Sequence, residues 1–118
     1  MCHVLIIEDE FVIAIAIQMV LEDEGATSFD FAVTETEAVT AAFARRPGLI
    51  TSDVMLLEGT GPLAVRRIHD QLGEIPVHFI TGTPNDCRAC RWSHVILNKP
   101  IQERSLREAF RRLAKPLA

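Results

Sequence analysis

Residues 3–10 read His-Val-Leu-Ile-Ile-Glu-Asp-Glu, an almost wholly apolar run followed at once by three acids. A short apolar run of this kind is typical of a strand buried on both faces of a parallel sheet. The acids would then project from the carboxyl edge of the sheet, where open α/β folds bind their ligands. This stretch therefore predicts the type of sheet and the edge at which a site should lie.

Three further apolar runs end at single polar residues: Asp53, Thr81 and Lys99. The segments between the runs carry helix signals, such as the capping-box pair Thr34 and Glu37. The predicted strands cover 3–7, 28–32, 49–53, 77–81 and 95–97, and the predicted helices cover 11–24, 34–46, 62–72, a short segment at 86–91 and a final amphipathic helix around 106–113. Five strand–helix units predict an α/β fold with a doubly wound parallel sheet and helices on both faces.

Size and composition set the broad class. The chain has 118 residues, of which 48% are hydrophobic, so we expect one domain over 1–118 with no output domain. A net charge of −4, spread along the chain, gives no reason to expect direct binding of nucleic acid. The basic residues near the C-terminus are interpreted as a solvated helix face that complements the helix dipole: Arg104, Arg107, Arg111, Arg112 and Lys115.

Membrane insertion and secretion are not expected. The apolar segment 11–21 is too short to span a bilayer, and no basic region precedes it. Three cysteines, Cys2, Cys87 and Cys90, form no even disulfide framework and suit a reducing cytoplasm. The spacing of Cys87 and Cys90 permits a zinc or redox site, but a lone C-x-x-C without a second ligand pair favours chance.

The polar residues at the strand ends suit phosphoryl transfer. Glu8, Asp9 and Asp53 supply the hard oxygen ligands that Mg²⁺ prefers, and the ion would offset repulsion between crowded carboxylates. Lys99 can neutralise an incoming phosphoryl group, and Thr81 can donate a hydrogen bond to it. Because Asp53 stands alone while Glu8 and Asp9 are paired, Asp53 is the better candidate for a covalent phosphoryl acceptor.

Four fragments together resemble the receiver domain of two-component response regulators over essentially the whole chain. They are E-D-E after the first strand, T-S-D-V-M-L at the third, F-I-T-G at the fourth and N-K-P at the fifth. The resemblance implies a flavodoxin-like sheet of strand order 2-1-3-4-5. It also implies a phosphorelay protein whose partners are a histidine kinase or phosphotransfer protein and an unknown downstream protein.

The resemblance assigns roles to individual positions. Asp53 matches the residue that accepts a phosphoryl group from a kinase phosphohistidine. Asp9 matches the direct Mg²⁺ ligand, Glu8 acts largely through water, and the backbone carbonyl of Met55 completes the protein ligands. Thr81 matches the hydroxyl residue that moves towards the phosphoryl group, and Lys99 matches the cation that pairs with it. The bond between Lys99 and Pro100 is expected to be cis.

The sequence departs from the family pattern in several places. Ile96 occupies the position where receivers usually carry the aromatic switch residue, so that switch is in doubt even if phosphorylation is intact. Only 17 residues separate Thr81 from Lys99, which implies a short or irregular fourth helix. Met55 and Thr83 flank the site and are expected to influence the lifetime of the phosphoryl group. The chain is either a single-domain regulator or was cut from a longer protein.

Two rival functions remain. One is a receiver-fold interaction module that does not switch on phosphorylation, as Ile96 suggests. The other is an aspartyl-nucleophile phosphatase, but such enzymes place a second Asp two residues after the nucleophile, where this chain has Met55. We therefore expect self-catalysed phosphorylation and slow self-dephosphorylation, and no metabolic enzyme activity.

The first helix is apolar on more than one face, so it is either deeply buried or free to dock with a partner. A homodimer would use that helix or the final helix region.

Overall fold

The computed structural model describes residues 2–82 and 95–114, in which five strands alternate with four helices. Each strand is four or five residues long, and each helix has 10 to 13 residues. The elements are β1 (His3–Ile7), α1 (Phe11–Asp23), β2 (Ser28–Ala32), α2 (Glu35–Ala44), β3 (Leu49–Asp53), α3 (Gly61–Leu72), β4 (Val77–Thr81), β5 (Val95–Asn98) and α4 (Glu103–Ala114).

The five strands form one parallel sheet in the order β2-β1-β3-β4-β5. The predicted fold class and strand order are therefore confirmed. The chain winds outward from β1 in both directions, so the strand order reverses between β1 and β3. In open parallel sheets the crevice at such a reversal, outside the carboxyl ends of the strands, is where ligands bind.

Helices cover both faces of the sheet over two separate apolar cores. One core joins α2 and α3 to the sheet through residues such as Val39, Val65 and Phe79. The other joins α1 and α4 to the opposite face through residues such as Ile17, Leu106 and Phe110. Strands β1, β3 and β4 contribute to both cores, which explains why four consecutive residues of β1, Val4 to Ile7, are apolar.

The start of α2 shows how the sequence fixes a helix boundary. The Thr34 hydroxyl accepts a hydrogen bond from the Glu37 N–H at 3.1 Å, as the capping-box pattern predicts. Glu37 Oε1 reaches back to the N–H of Val33 at 3.0 Å, one residue before the expected partner. The helix ends at Ala44, two residues earlier than predicted, because Arg45 is already extended (φ −150°, ψ 110°).

Several other boundaries differ by one residue, whereas α4 begins at Glu103, three residues before the predicted range. Helix α1 ends at Asp23, and Gly25 beyond it adopts φ +112°, which suits glycine at a helix end. Strand β5 continues through Asn98 because this residue still pairs with Thr81 on β4. The predicted helix at 86–91, together with Thr83, Cys87 and Cys90, lies outside the described residues. Within the described ranges, none of the helices is long and apolar enough to cross a bilayer.

Candidate functional site

The carboxyl ends of β1, β3 and β5 bring Glu8, Asp53 and Lys99 into contact. Lys99 Nζ lies 3.1 Å from Asp53 Oδ2 and 3.4 Å from Glu8 Oε1. All three side chains are largely shielded from water, Glu8 almost completely, with 1% of its side chain exposed. Residues separated by up to 91 positions in the sequence therefore form one charged cluster at the predicted edge of the sheet.

Glu8 is the most deeply buried member of the cluster. Its Oε2 accepts a hydrogen bond from the N–H of Glu10 at 3.2 Å. Its Oε1 faces the Lys99 ammonium at ion-pair distance but accepts no hydrogen bond from any described residue. Burial, followed by the nearby negative charge of Asp53, raises the pKa of Glu8 to about 7. A cation or a water bound to this buried oxygen would supply the missing partner.

Lys99 supplies the positive charge of the cluster. Burial by itself lowers the pKa of its ammonium, but the hydrogen bond to Asp53 and the charges of Glu8 and Asp53 raise it. The balance is a raised pKa, so Lys99 is protonated throughout the neutral range. The cluster thus holds two carboxyl groups around one permanent cation.

The orientation of Asp53 is fixed by its own backbone neighbours. Its Oδ1 accepts a hydrogen bond from the N–H of Val54 at 2.8 Å, which leaves Oδ2 directed at Lys99. The side chain is 12% exposed, so one side of the carboxyl group remains open to an incoming molecule. A carboxylate that is held in one orientation and partly open is suited to act as a nucleophile.

Thr81 lies at the end of β4, next to the strand that carries Lys99. Its side chain is buried, and its carbonyl accepts a hydrogen bond from the Lys99 N–H at 2.9 Å. The peptide bond between Lys99 and Pro100 is cis. The main chain of β4 therefore fixes where the lysine side chain begins, on the same edge as Asp53.

The acids after β1 form a group that could hold a metal ion. Glu8, Asp9 and Glu10 can each place one carboxylate oxygen within 4.8 Å of the others. Hard oxygen ligands and the open Oε1 of buried Glu8 fit Mg²⁺, which keeps several waters in its coordination sphere. Glu10 was not among the ligands predicted from the sequence, and its exposure leaves it at the rim of the group.

The loop after β3 carries Met55, whose backbone carbonyl was predicted as a further ligand. Met55 forms an antiparallel bridge with Thr60, so the loop folds back on itself directly beside Asp53. Met55 itself is 67% exposed. Its influence on the lifetime of the phosphoryl group stays a prediction.

Two residues around Asp53 were missed by the sequence reasoning. The Ser52 hydroxyl donates a hydrogen bond to the carbonyl oxygen of Asp53 at 2.8 Å. Gly61, the first residue of α3, packs directly against the same carbonyl. The sequence did offer a signal for this close backbone contact: a glycine at the start of the helix that follows a candidate site residue.

Surfaces away from the cluster bear on the remaining predictions. Ile96 on β5 is 39% exposed and pairs in register with Phe79. On α1, Phe11, Val12 and Met19 are exposed, so the alternative in which the whole helix is deeply buried is wrong.

The interpretation of the C-terminal arginines as a solvated helix face omitted ion pairs formed by two of them: Arg107, which is 23% exposed, and Arg111, which is still 61% exposed. Arg107 Nη1 lies 2.8 Å from Glu24 Oε2, and Arg111 Nε lies 2.5 Å from Glu24 Oε1. Arg107 also contacts Asp23 and Glu103. These ion pairs join α4 to the end of α1, because the two helices pack side by side on the same face of the sheet.

Comparison with known proteins agrees with this geometry. The family model of the response regulator receiver domain matches residues 4–111, and the chain belongs to that family. Proteins of this family are phosphoacceptor signalling domains that generally bind Mg²⁺ at an acidic pocket and interact with kinases or partner proteins.

The relatives of this chain include a PhyR protein. The chain is 42% identical over 85 residues to the phyllosphere-induced regulator PhyR of Methylorubrum extorquens, an alignment that covers 70% of this chain and 31% of the relative. The chain therefore spans about a third of the length of this curated relative.

Solved structures show the same likeness. The PhyR receiver domain of Erythrobacter litoralis is 30% identical with a TM-score of 0.85, covering 99% of this chain and 95% of that one. A mutant of the anti-anti-sigma factor PhyR from Bartonella quintana is 30% identical with a TM-score of 0.80, covering 96% and 48% respectively. This chain is thus similar to the receiver domains of PhyR proteins.

Proposed function

We propose that this receiver domain accepts a phosphoryl group on Asp53 from the phosphohistidine of a histidine kinase or phosphotransfer protein, in a Mg²⁺-dependent reaction. The observation that carries the proposal is the arrangement of Asp53, Lys99 and Glu8 at the carboxyl edge of the sheet. It combines an oriented carboxylate, a fixed cation and a buried acid with an open oxygen.

In the proposed reaction a carboxylate oxygen of Asp53 attacks the phosphorus atom. The bond between phosphorus and the imidazole nitrogen of the donor breaks, and the nitrogen keeps the bonding electron pair. Lys99, 3.1 Å from Oδ2, can pair with negative charge on the transferred group. Phosphoryl transfer depends mainly on such positioning and charge stabilisation, which the described cluster can supply.

A bound Mg²⁺ would neutralise phosphoryl oxygens during the transfer. Glu8 and Asp9 would hold it, together with Asp53 and the backbone carbonyl of Met55. Before transfer, Lys99 limits repulsion between Glu8 and Asp53, which lie on either side of its ammonium. The ion pairs of Lys99 with Glu8 and Asp53 thus hold the site in place before the donor and the metal bind.

The proposed consequence of phosphorylation is a changed affinity for a downstream protein. In support, the PhyR of Bartonella quintana is described as an anti-anti-sigma factor, a role defined by binding other proteins. This chain matches about half of that protein. We include a protein partner of the same kind in the proposal. A cytoplasmic location, in which a receiver can meet a kinase, belongs to the same proposal.

Turnover of an external substrate is not part of the proposed function. A phosphatase of the aspartyl-nucleophile type needs an acid–base group two residues beyond the nucleophile, and Met55 offers none. We propose that the domain catalyses only its own phosphorylation and slow dephosphorylation.

A second function is favoured by Ile96. Its aliphatic side chain, 39% exposed on β5, has no aromatic ring to move inward in response to the site. If no other element of the domain responds to phosphorylation, the domain would bind its partner equally well with and without the phosphoryl group. Beryllofluoride, a phosphoryl mimic, separates the two functions: a change in the chemical shifts of β5 and α4 supports switching, and an unchanged spectrum with bound beryllofluoride supports the constant module.

The direct test of phosphorylation uses acetyl phosphate as donor with intact-mass detection. Wild type is expected to gain one phosphoryl group in the presence of Mg²⁺ and none in EDTA. Asp53→Asn should gain none, whereas Asp30→Asn, which changes an acid on edge strand β2, should label as wild type does. Equal labelling of Asp53→Asn and wild type would refute the proposal.

A further inference from the structure

The peptide group that follows Asp53 lies in a narrow gap between Ser52 and Gly61, which we call the notch at Gly61. On one side the Ser52 hydroxyl, itself 1% exposed as a residue, donates a hydrogen bond to the Asp53 carbonyl oxygen at 2.8 Å. On the other side Gly61, the first residue of α3, presents its bare α-carbon. The carbonyl is therefore enclosed by one hydrogen-bond donor and one residue without a side chain.

Gly61 is required here for space and not for an unusual backbone angle, because its φ is not positive. A methyl group built on its α-carbon would lie 3.1 Å from the Asp53 carbonyl carbon and far inside van der Waals contact with the carbonyl oxygen and with Ser52 Oγ. Rotation of a side chain cannot relieve a clash with a backbone carbonyl. Any larger residue at Gly61 must displace the peptide of Asp53 or the start of α3.

The same peptide determines where the Asp53 carboxylate points. Gly61 donates its N–H to the carbonyl of Val54 at 2.8 Å, and the Val54 N–H is bonded to Asp53 Oδ1 at 2.8 Å. One continuous set of contacts thus runs from the start of α3 through the carbonyl and the N–H of Val54 to the carboxylate of Asp53. Displacement of this peptide moves Oδ2 away from its place 3.1 Å from Lys99 Nζ.

We propose that Gly61 and Ser52 are positioning residues for phosphoryl transfer, which hold the Asp53 peptide so that the carboxylate faces Lys99. This inference rests on the proposed acceptance of a phosphoryl group at Asp53. Neither residue contacts the transferred group; both act through the backbone of Asp53. Small displacements of a reacting group cost large factors in rate, so the effect should appear in the transfer step more than in donor binding.

The test compares the full chain as wild type, Gly61→Ala, Ser52→Ala and the matched control Gly48→Ala. A methyl group at Gly48 meets its nearest neighbours at 3.7 and 3.9 Å, which is ordinary contact. Acetyl phosphate is titrated in saturating Mg²⁺, at a temperature where melting curves show each variant folded. We expect Gly61→Ala to lower the maximal labelling rate about ten- to a hundredfold, with half-saturation by donor within about threefold of wild type. Ser52→Ala should lower the maximal rate by about three- to tenfold.

Each outcome decides the inference. A folded Gly61→Ala with the wild-type maximal rate, or a Gly48→Ala that loses as much as Gly61→Ala, would overturn it. If Gly61→Ala does not fold, Ser52→Ala decides, and a wild-type rate in that variant overturns the inference. A wild type that takes no label in Mg²⁺ refutes the proposed function itself and this inference with it, whereas labelled wild type with unaffected variants refutes the inference alone.

Discussion

Lys99 Nζ lies 3.1 Å from Asp53 Oδ2, a contact that joins β5 to β3 across the intervening strand β4 at the carboxyl edge of the sheet. The hydrogen bond from the Lys99 N–H to the Thr81 carbonyl fixes the main chain from which this side chain extends. The contact makes Lys99 the cation on which the charge balance of the site depends.

Replacement of Lys99 by Gln should separate metal binding from phosphoryl transfer. The variant loses the charge that pairs with the transferred group, so its labelling by acetyl phosphate should fall about a hundredfold. Mg²⁺ should bind no more weakly than to wild type, because a competing cation has been removed. Calorimetry and intact mass measure the two effects, with Arg66→Gln on the exposed face of α3 as the charge-matched control. Unchanged labelling would show that Lys99 has no part in transfer.

Replacement of Glu8 by Gln should stabilise the metal-free protein at pH 8 and weaken Mg²⁺ binding. Burial raises the pKa of Glu8 to about 7, so the side chain is ionised at pH 8 at a cost that Gln does not carry. The expected gain in unfolding free energy is on the order of 1–3 kcal/mol, measured by urea denaturation in EDTA. Glu74→Gln, at an exposed position, should change little. A destabilised Glu8→Gln in EDTA would contradict the burial argument.

The contact between α1 and α4 should make stability depend on acid pH. Hydrogen bonds from Arg111 and Arg107 lower the pKa of Glu24 to about 2. Because the folded value lies below the ordinary value of 4.5, the stabilisation is fully present above pH 4.5 and is lost as pH falls towards 2. Glu24→Gln should therefore be less stable than wild type at pH 6, and this difference should shrink in acid.

Denaturant curves at several pH values measure this difference. Glu22→Gln, an exposed acid on the same helix, is the control and should follow wild type throughout. A Glu24→Gln deficit that stays constant from pH 6 to pH 2 would show that the ion pairs with Arg107 and Arg111 are not its cause.

Ile96 should affect the response of the domain and not its phosphorylation. Its side chain is partly exposed on β5, whereas the carboxylates and Lys99 are shielded at the edge of the sheet. We expect Ile96→Ala to label within about twofold of wild type, since it removes no charge or donor from the site. Met19→Ala provides a matched loss of exposed apolar surface on α1. A tenfold loss of labelling in Ile96→Ala alone would place this residue in the chemistry.

The main features of the fold followed from local sequence patterns. Val4 to Ile7 are all apolar because successive residues of β1 are buried in the two cores on opposite faces of the sheet. Such an apolar run is typical of a central strand in a parallel sheet. The meeting of Glu8, Asp53 and Lys99 followed from parallel topology alone. Differences at the ends of α2 and β5 arose where a boundary depends on backbone angles and pairing that the pattern does not encode.

Contacts between distant segments were the part that the sequence could not supply. The ion pairs of Glu24 with Arg107 and Arg111 span more than 80 residues and depend on how α1 and α4 pack. His3 likewise contacts Ser28 at 2.8 Å and Asp30 at 2.9 Å through the pairing of β1 with β2. The notch at Gly61 depends on the angle at which α3 leaves the loop, which no local pattern specifies.

The most direct test of the central claim is chemical mapping of the phosphorylated residue. Wild type labelled by acetyl phosphate in Mg²⁺ is treated with borohydride, which reduces an aspartyl phosphate to homoserine, and the digested protein is sequenced by tandem mass spectrometry. The account predicts homoserine at position 53, dependent on both Mg²⁺ and the donor. Homoserine at another acid such as Asp9, or a labelled protein without homoserine at position 53, would contradict it.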